Sequence, residues 1–337
     1  MMKKRHILHW AMGVVMTPLL GSCASDDIGD AGREGCDIIL GQPMTVTSAT
    51  RAADGRTLSN QFEPNEEVWL WANKADDTEY IKAWKLKADN NGGFSSCTAG
   101  TTKYWPGDGS KLNVYALHGN FTNSPSISEG TTQWSNLSLT HTVESDQSSD
   151  VNKRLSDLIY SHASSVASGQ TVQLTFDHLL AKITVKLDLK DSQGITASEL
   201  ANAEVTLTNI LPKATFTSSD GKAASAGGDL TTITAGNPTS VSNGAVIGSA
   251  IVPLQDFGGG KSTPSDDNVI TITLASPDTR SFSYKPSACV TLAAGKEYIY
   301  TLKIINGELS VSSITVTGFT THEEPKSWDD YVEPSGS

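Results

Sequence analysis

Cys23 is the residue whose neighbours most plainly dictate a chemistry. Leu20-Gly21-Ser22-Cys23 sets a large aliphatic residue and two small ones ahead of a thiol. The pattern matches a bacterial lipobox, in which the cysteine sulfur is joined by a thioether to diacylglycerol and the peptide is cut on its N-terminal side. The residues before it agree. Lys3-Lys4-Arg5 form a basic n-region, and Ile7 to Leu20 form an apolar h-region broken by His9, Gly13, Thr17 and Pro18. That stretch is too short to span a bilayer comfortably. Residues 1–22 are therefore expected to be a signal peptide, with Cys23 carrying the acyl (palmitate-type) chains that hold the protein to a membrane. Asp26-Asp27-Ile28-Gly29-Asp30 follows as an acidic tether.

Other residues with chemical potential do not assemble into a catalytic pattern. Gly258-Gly259-Gly260-Lys261-Ser262-Thr263 resembles the end of a phosphate-binding loop, but Gln255 stands where that loop needs its first glycine, and Pro264 follows where a helix should begin. A hairpin loop is the expectation there. His178 follows Asp177, but adjacent strand residues point to opposite faces, so the two cannot form a relay; a buried, hydrogen-bonded histidine is expected. No Gly-x-Ser-x-Gly elbow occurs, no carboxylate pair stands out as acid and base, and Asp266-Asp267 lacks the alternating spacing of a calcium loop. Cys36, Cys97 and Cys289 are too far apart for a zinc pattern, and no disulfide among them is expected. The sequence predicts neither an enzyme nor a bound metal or cofactor.

The elements that must position these residues read as strands. Thr, Ser, Gly and Asn are abundant and long helical periodicity is scarce, so an all-β chain with many turns is expected. Strands are predicted at 37–47, at Glu67 to Ala72, Ile81 to Leu86, Leu112 to Leu117 and Trp134 to Leu139, and at 171–176, 178–189, 203–210, 249–254, 269–274, 282–284, 297–304 and 309–317. Trp69 and Trp71 share a face: a sandwich core is favoured over an aromatic platform for a sugar. Residues 48–66 lose apolar periodicity and expose Arg51-Ala52-Ala53-Asp54 to proteolytic nicking. Loss of residues 1–22 removes three basic residues and no acid, leaving 22 basic against 37 acidic residues, net −15. Such a chain repels phosphate backbones, so no nucleic-acid partner is expected. The remaining 315 residues exceed one typical domain.

These features together resemble the fimbrillin family, pilus subunits of anaerobic gut and oral bacteria. The likeness rests on the lipobox with its acidic follow-on and on Thr50-Arg51-Ala52. It rests also on Tyr104-Trp105-Pro106 before Leu112-Asn113-Val114-Tyr115-Ala116, on Phe176-x-His178-Leu179-Leu180-Ala181-Lys182-Ile183, and on Leu292-x-Ala294-Gly295-Lys296-x-Tyr298-x-Tyr300. The resemblance implies two tandem β-sandwich domains of transthyretin-like topology, at 52–170 and 171–337, behind a lipidated propeptide, 23–51, that holds a removable strand. It implies export to the outer membrane on Cys23, cleavage by an arginine-specific protease between Arg51 and Ala52, and polymerisation into a cell-surface fimbria by donor-strand exchange with other subunits. Leu309, Val311, Ile314 and Val316 mark a candidate donor strand. Strict alternation sets Leu309 and Val311 on one face and Ile314 and Val316 on the other, and a resident edge strand is an equal reading. Where many family members carry tryptophan after the final strand, this chain has Gly318-Phe319-Thr320. Stalk, tip and accessory roles all fit, with a host or bacterial surface ligand conceivable for a tip. The alternative is a membrane-anchored adhesin or glycan-binding lipoprotein that is not polymerised.

Overall fold

The computed structural model describes residues 62–89, 93–99, 103–121, 126–188, 195, 199, 203–235, 245–275 and 279–319. Every described residue lies in one compact unit. The predicted strand at 37–47 falls outside the described residues.

The first strands are β1 (Glu67–Lys74), β2 (Glu79–Ala88), β3 (Phe94–Ser96), β4 (Leu112–His118) and β5 (Ser138–Thr142). A short helix, α1 (Asp150–Leu155), leads to β6 (Ile159–Val166) and β7 (Phe176–His178). Next come β8 (Ala181–Asp188), β9 (Glu204–Ile210), β10 (Lys213–Thr217), β11 (Lys222–Gly227), β12 (Thr231–Ala235) and β13 (Ala245–Val252). The chain continues through β14 (Asp256–Phe257), β15 (Ile270–Thr273), β16 (Ser281–Tyr284), β17 (Val290–Thr291), β18 (Lys296–Ile305) and β19 (Glu308–Gly318). The architecture is all-β and built of sandwiched sheets, as expected.

A six-stranded antiparallel sheet runs β3-β2-β1-β4-β6-β7. Around β1 the sheet is covered on both faces, which is why β1 reads Val-Trp-Leu-Trp-Ala with no polar alternation. On one face Val68, Leu70, Leu86, Val114 and Phe176 pack with Phe62, Trp105 and Leu174. On the other, Trp71, Leu117 and the half-buried Tyr115 and Tyr160 meet Trp134 and Phe216. Tyr115 and Trp134 stack at 4.4 Å between ring centres, and the Trp71 indole N–H donates to Thr132 O at 3.0 Å. Trp71 is thus a core residue, while Trp69 beside it stays half-buried.

The second sandwich sets β13-β8-β18-β19 against β12-β9-β15-β16, with β8 and β18 parallel and the other pairs antiparallel. Ile183, Val185, Val205, Leu207, Ile272 and Tyr300 fill its core. Gly248 belongs there for steric reasons: a Cβ at that position would lie 2.8 Å from the Val205 side chain of the facing sheet.

Pairing crosses the expected division at residue 170. β7 completes the six-stranded sheet beside β6, and β10 pairs with both β5 and β11. Several sequence expectations need correction. Trp134 precedes β5 in a turn instead of starting a strand; of 171–176 only Phe176 enters β7; and residues 150–155 form the short helix α1 behind the N-cap Ser149 in a chain read as all-β. The β10–β11 hairpin lies outside the expected strands, because β11 reads Lys-Ala-Ala-Ser-Ala-Gly and lacks large apolar residues.

His141, in β5, is fully enclosed. Its Nε2–H donates to Ser156 O at 3.0 Å, and its Nδ1 accepts the Asn120 N–H at 2.9 Å, which defines the neutral tautomer. Burial pushes its pKa down to about 4. The unfolded chain takes up this proton first, at about 6.5. Stability is therefore complete above that pH and drains as pH falls towards 4, by about 3 kcal/mol in all. Urea midpoints measured from pH 7 to 4 are expected to fall across this window, with a shallower slope in His141→Gln.

Candidate functional site: the last strand and its anchor

The strand at the C-terminal edge, β19, is joined to β18 by Asn306-Gly307, both at positive φ (53° and 82°). Two such residues between antiparallel strands form the turn whose twist suits a hairpin. Pairing runs from Ile305 opposite Glu308 to Lys296 opposite Gly318.

The register corrects the expected faces. Ile304 lies opposite Leu309, Leu302 opposite Val311, Tyr300 opposite Ile314 and Tyr298 opposite Val316. Thr301 pairs with Ser313, so Ser312 is the extra residue of a bulge. Directly opposed residues share a face. The bulge absorbs one step of alternation and puts Leu309, Val311, Ile314 and Val316 on the same face as Tyr298, Tyr300, Leu302 and Ile304. Periodicity alone could not show this, because a bulge is a phase slip with no residue signature of its own.

That row is not evenly covered. Exposure rises along it from 8% at Leu309 through 36% and 42% at Val311 and Ile314 to 52% at Val316. The facing edge strand, β16, has only four residues against eleven in β19. The opposite edge of the same sandwich is closed. Gln147 donates through Nε2 to Ile251 O at 2.9 Å and accepts the Ile251 N–H at 2.8 Å, occupying the outer edge of β13. On β12, Thr234 N–H donates to Ser145 O and Thr234 O accepts from Gln147 N–H, both at 2.8 Å.

Beyond β19 the chain is pinned by Phe319. Its ring stacks on the His178 imidazole at 3.7 Å between centres and 19° between planes, its N–H donates to Gly295 O at 2.8 Å, and Lys182 Nζ lies 5.7 Å from its ring centre. His178 Nδ1–H donates to Asp157 at 2.9 Å. The partner of His178 is therefore a residue just past α1 and not its neighbour Asp177. Lys182 and Glu297, opposite each other on β8 and β18, form a buried ion pair at 3.2 Å, and Thr184 Oγ1–H donates to Glu297 at 2.6 Å. Gly295, at φ 65°, makes the turn before β18 and donates its N–H to Leu180 O at 2.9 Å. The two motif runs around His178 and Gly295 thus meet at one junction, and Phe319 fills it. Each run is visible in the sequence and their contact is not, since pairing over more than a hundred residues has no local signal.

Among the remaining sequence-predicted positions, Cys23, Arg51 and Ala52 fall outside the described residues. The glycine loop is occupied by the protein's own carboxylate. Asp267 accepts the Lys261 N–H at 3.0 Å and pairs with Lys285 at 2.5 Å; the lysine, then the amide, hold its carboxyl below the usual range. Cys97 and Cys289 are free thiols.

Replacing Glu297 alone by Leu leaves Lys182 buried without its counter-charge and is expected to cost about 3–5 kcal/mol, whereas Lys182→Met with Glu297→Leu recovers most of it; chemical denaturation of the three proteins checks both. In Phe319→Ala, amide exchange along β19 is expected to quicken well before that of β8.

The chain matches the fimbrillin-like family over residues 50–318. No curated protein matches it. Two solved structures, both provisionally assigned to cell adhesion, share the fold. One, from Bacteroides ovatus, has 15% identity and TM-score 0.61, covering 87% of this chain and all of its own length. The other, from Bacteroides uniformis, has 19% identity and TM-score 0.55, covering 77% of this chain and 94% of its own. At such identities the likeness speaks for the fold alone, but the family match spans most of the chain, from ahead of β1 to the end of β19: the protein belongs to the fimbrillin-like family.

Proposed function

We propose that this chain is a non-enzymatic structural subunit of a cell-surface fimbria. In this reading it leaves the cell as a lipoprotein anchored to the outer membrane through Cys23. An arginine-specific protease then cuts between Arg51 and Ala52, and the subunit joins others by strand donation. Its mature body comprises the regions 52–170 and 171–337. The carrying observation is β19: an edge strand with four apolar residues on one face, three of them open to solvent. A strand of this kind satisfies a partner sheet twice over, with backbone groups along its length and side chains in alternate pockets. Leu309, Val311, Ile314 and Val316 would be the inserted side chains. Donation requires β19 to leave β18 and Phe319 to leave its seat on His178, so the strand is held until a groove is on offer. Family membership supports other fimbrial subunits as the partners.

Residues 23–337, prepared without lipid and treated with a limiting dose of arginine-specific protease, are expected to yield a new N-terminus at Ala52 by mass spectrometry. A ladder of multimers should survive in denaturing gels of unboiled samples, and Ile314→Asp with Val316→Asp should abolish the ladder without preventing the cut. Cleavage scattered elsewhere, or monomer alone after a clean cut, rejects the polymerisation reading.

A further inference from the structure

The turn that starts β19 carries a chemistry of its own. Asn306 and Gly307 are exposed, as are Ile305 and Glu308 on either side. Asn306 is the only asparagine among the described residues that is followed by glycine. Asn65, Asn136 and Asn209 share its positive φ but precede Glu66, Leu137 and Ile210. Asn209 is also tied down, its Nδ2 donating to Ser265 O at 2.9 Å and to Asp267 O at 2.8 Å. No described residue hydrogen-bonds the Asn306 carboxamide, so nothing keeps it from turning back on the main chain.

The reacting atoms are neighbours by covalent structure. The Gly307 nitrogen becomes a nucleophile on losing its proton to hydroxide, and Asn306 Cγ is the electrophile it meets in a succinimide ring. In any other residue a Cβ would hinder the approach, and Gly307 has none. Closing the ring requires the turn dihedrals to adjust. Such adjustment costs least at the end of a ladder, and Ile305 with Glu308 is the last pair of this one.

We propose that Asn306-Gly307 is a self-modification site, at which the chain deamidates and the link between β18 and β19 is remade. The Gly307 nitrogen forms a bond to Asn306 Cγ, the Cγ–Nδ2 bond breaks, and the amide nitrogen leaves as ammonia with a proton from water. Water then opens the succinimide. Attack at the side-chain carbonyl yields aspartate. Attack at the main-chain carbonyl yields isoaspartate, in which the chain runs through the former side chain. Water is the only co-reactant, and nothing is oxidised or reduced. Isoaspartate lengthens the main chain by a carbon atom inside a turn whose twist suits its strands only at the standard length. Ile305 and Glu308 lose their pairing first. The next pair sets Ile304 against Leu309, whose burial ties the start of β19 to the core. The modification thus loosens the strand from its turn end and leaves the Phe319 seat untouched. None of this depends on whether β19 is donated to a partner.

The test is peptide mapping of residues 23–337, prepared without lipid and incubated at neutral and at mildly alkaline pH. The same chain in urea, where no turn restrains the pair, sets the time scale. Trypsin frees the segment from Ile304 to Lys326, which holds no other asparagine and no glutamine, so a deamidation mass shift there reads Asn306 alone. The folded protein is expected to convert, faster at the higher pH, with isoaspartate as the main product by enzymatic isoaspartyl methylation. The shift is expected to be lost in Asn306→Gly, which keeps a pair suited to the turn; Asn306→Gln replaces it if that variant fails to fold. Amide exchange at the start of β19 should quicken in the converted protein. It should stay near the parent's in freshly prepared Asn306→Asp, which gains the charge without the added chain atom. A folded protein that stays unconverted over the time in which the chain in urea converts overturns the proposal. So does conversion that leaves exchange along β19 unchanged, or an equal quickening in Asn306→Asp.

Discussion

The buried pair of Lys182 and Glu297 is the constraint around which the rest of this structure is arranged. Charges taken out of water cost several kcal/mol each unless paired and hydrogen-bonded. Here the pairing is set by strand register, because the two residues face each other on the parallel strands β8 and β18. Thr184 supplies a further hydrogen bond, the Phe319 ring lies near the ammonium, and His178 stacks on that ring. A shift of β18 by one residue would turn Glu297 to the apolar core and Lys182 to an orphaned charge. The pair therefore specifies register more than it adds stability. Through His178 and Asp157 the same requirement reaches β7 and the segment after α1, which belong to the first sheet and its surroundings.

The two edges of the second sandwich show opposite treatment of one physical problem. Unpaired strand edges invite association with other chains. On the β12/β13 side, Ser145, Asp146 and Gln147 pair with the strands, Gln147 mimicking a peptide group with its side-chain amide. On the β16/β19 side a long strand faces a short one, and its apolar row grows more exposed towards the chain end. The device that closes one edge comes from residues 145–147, far away in sequence, so the asymmetry is a property of the whole chain and not of the second sandwich alone.

Much of this was legible in the residues, and the reasons divide cleanly. Strands with strong local patterning, such as β8 and β18, lie within a few residues of their expected places. So does β1, whose unbroken apolar run reports a sheet buried on both faces. Family likeness was readable because its motifs are short and local. Three kinds of feature were not. In the β10–β11 hairpin β10 has one large apolar residue, Phe216, and β11 has none, leaving the Ser-Ser-Asp-Gly turn as the main cue. The partner of His178 lies 21 residues upstream, where tertiary contact outweighs sequence adjacency. The bulge at Ser312 reverses the phase of β19, so two correct local readings, Leu309 with Val311 and Ile314 with Val316, combined into a wrong face. The phosphate-loop likeness shows the converse: glycines and a lysine in sequence, but a carboxylate of the same chain, Asp267, already where an anion would sit.

Partial exposure is what a strand able to change sheets requires. In the proposed donation, the backbone hydrogen bonds that β19 would give up on leaving β18 would be re-formed in the receiving sheet, so they cancel to first order. The side chains decide the balance. A fully buried row would only exchange one dry environment for another, and a polar row would have nothing to gain. Val311, Ile314 and Val316 are between about a third and a half exposed where they are, and burying them elsewhere gains about 25 cal/mol for each Å² of apolar surface removed from water. Leu309 and Phe319, almost wholly buried at the two ends of the strand, act in the opposite sense and hold it in place. The strand is thus fixed at its ends and under-buried along its middle, an arrangement that keeps the free subunit intact while leaving a favourable free energy for a partner that can cover the exposed row.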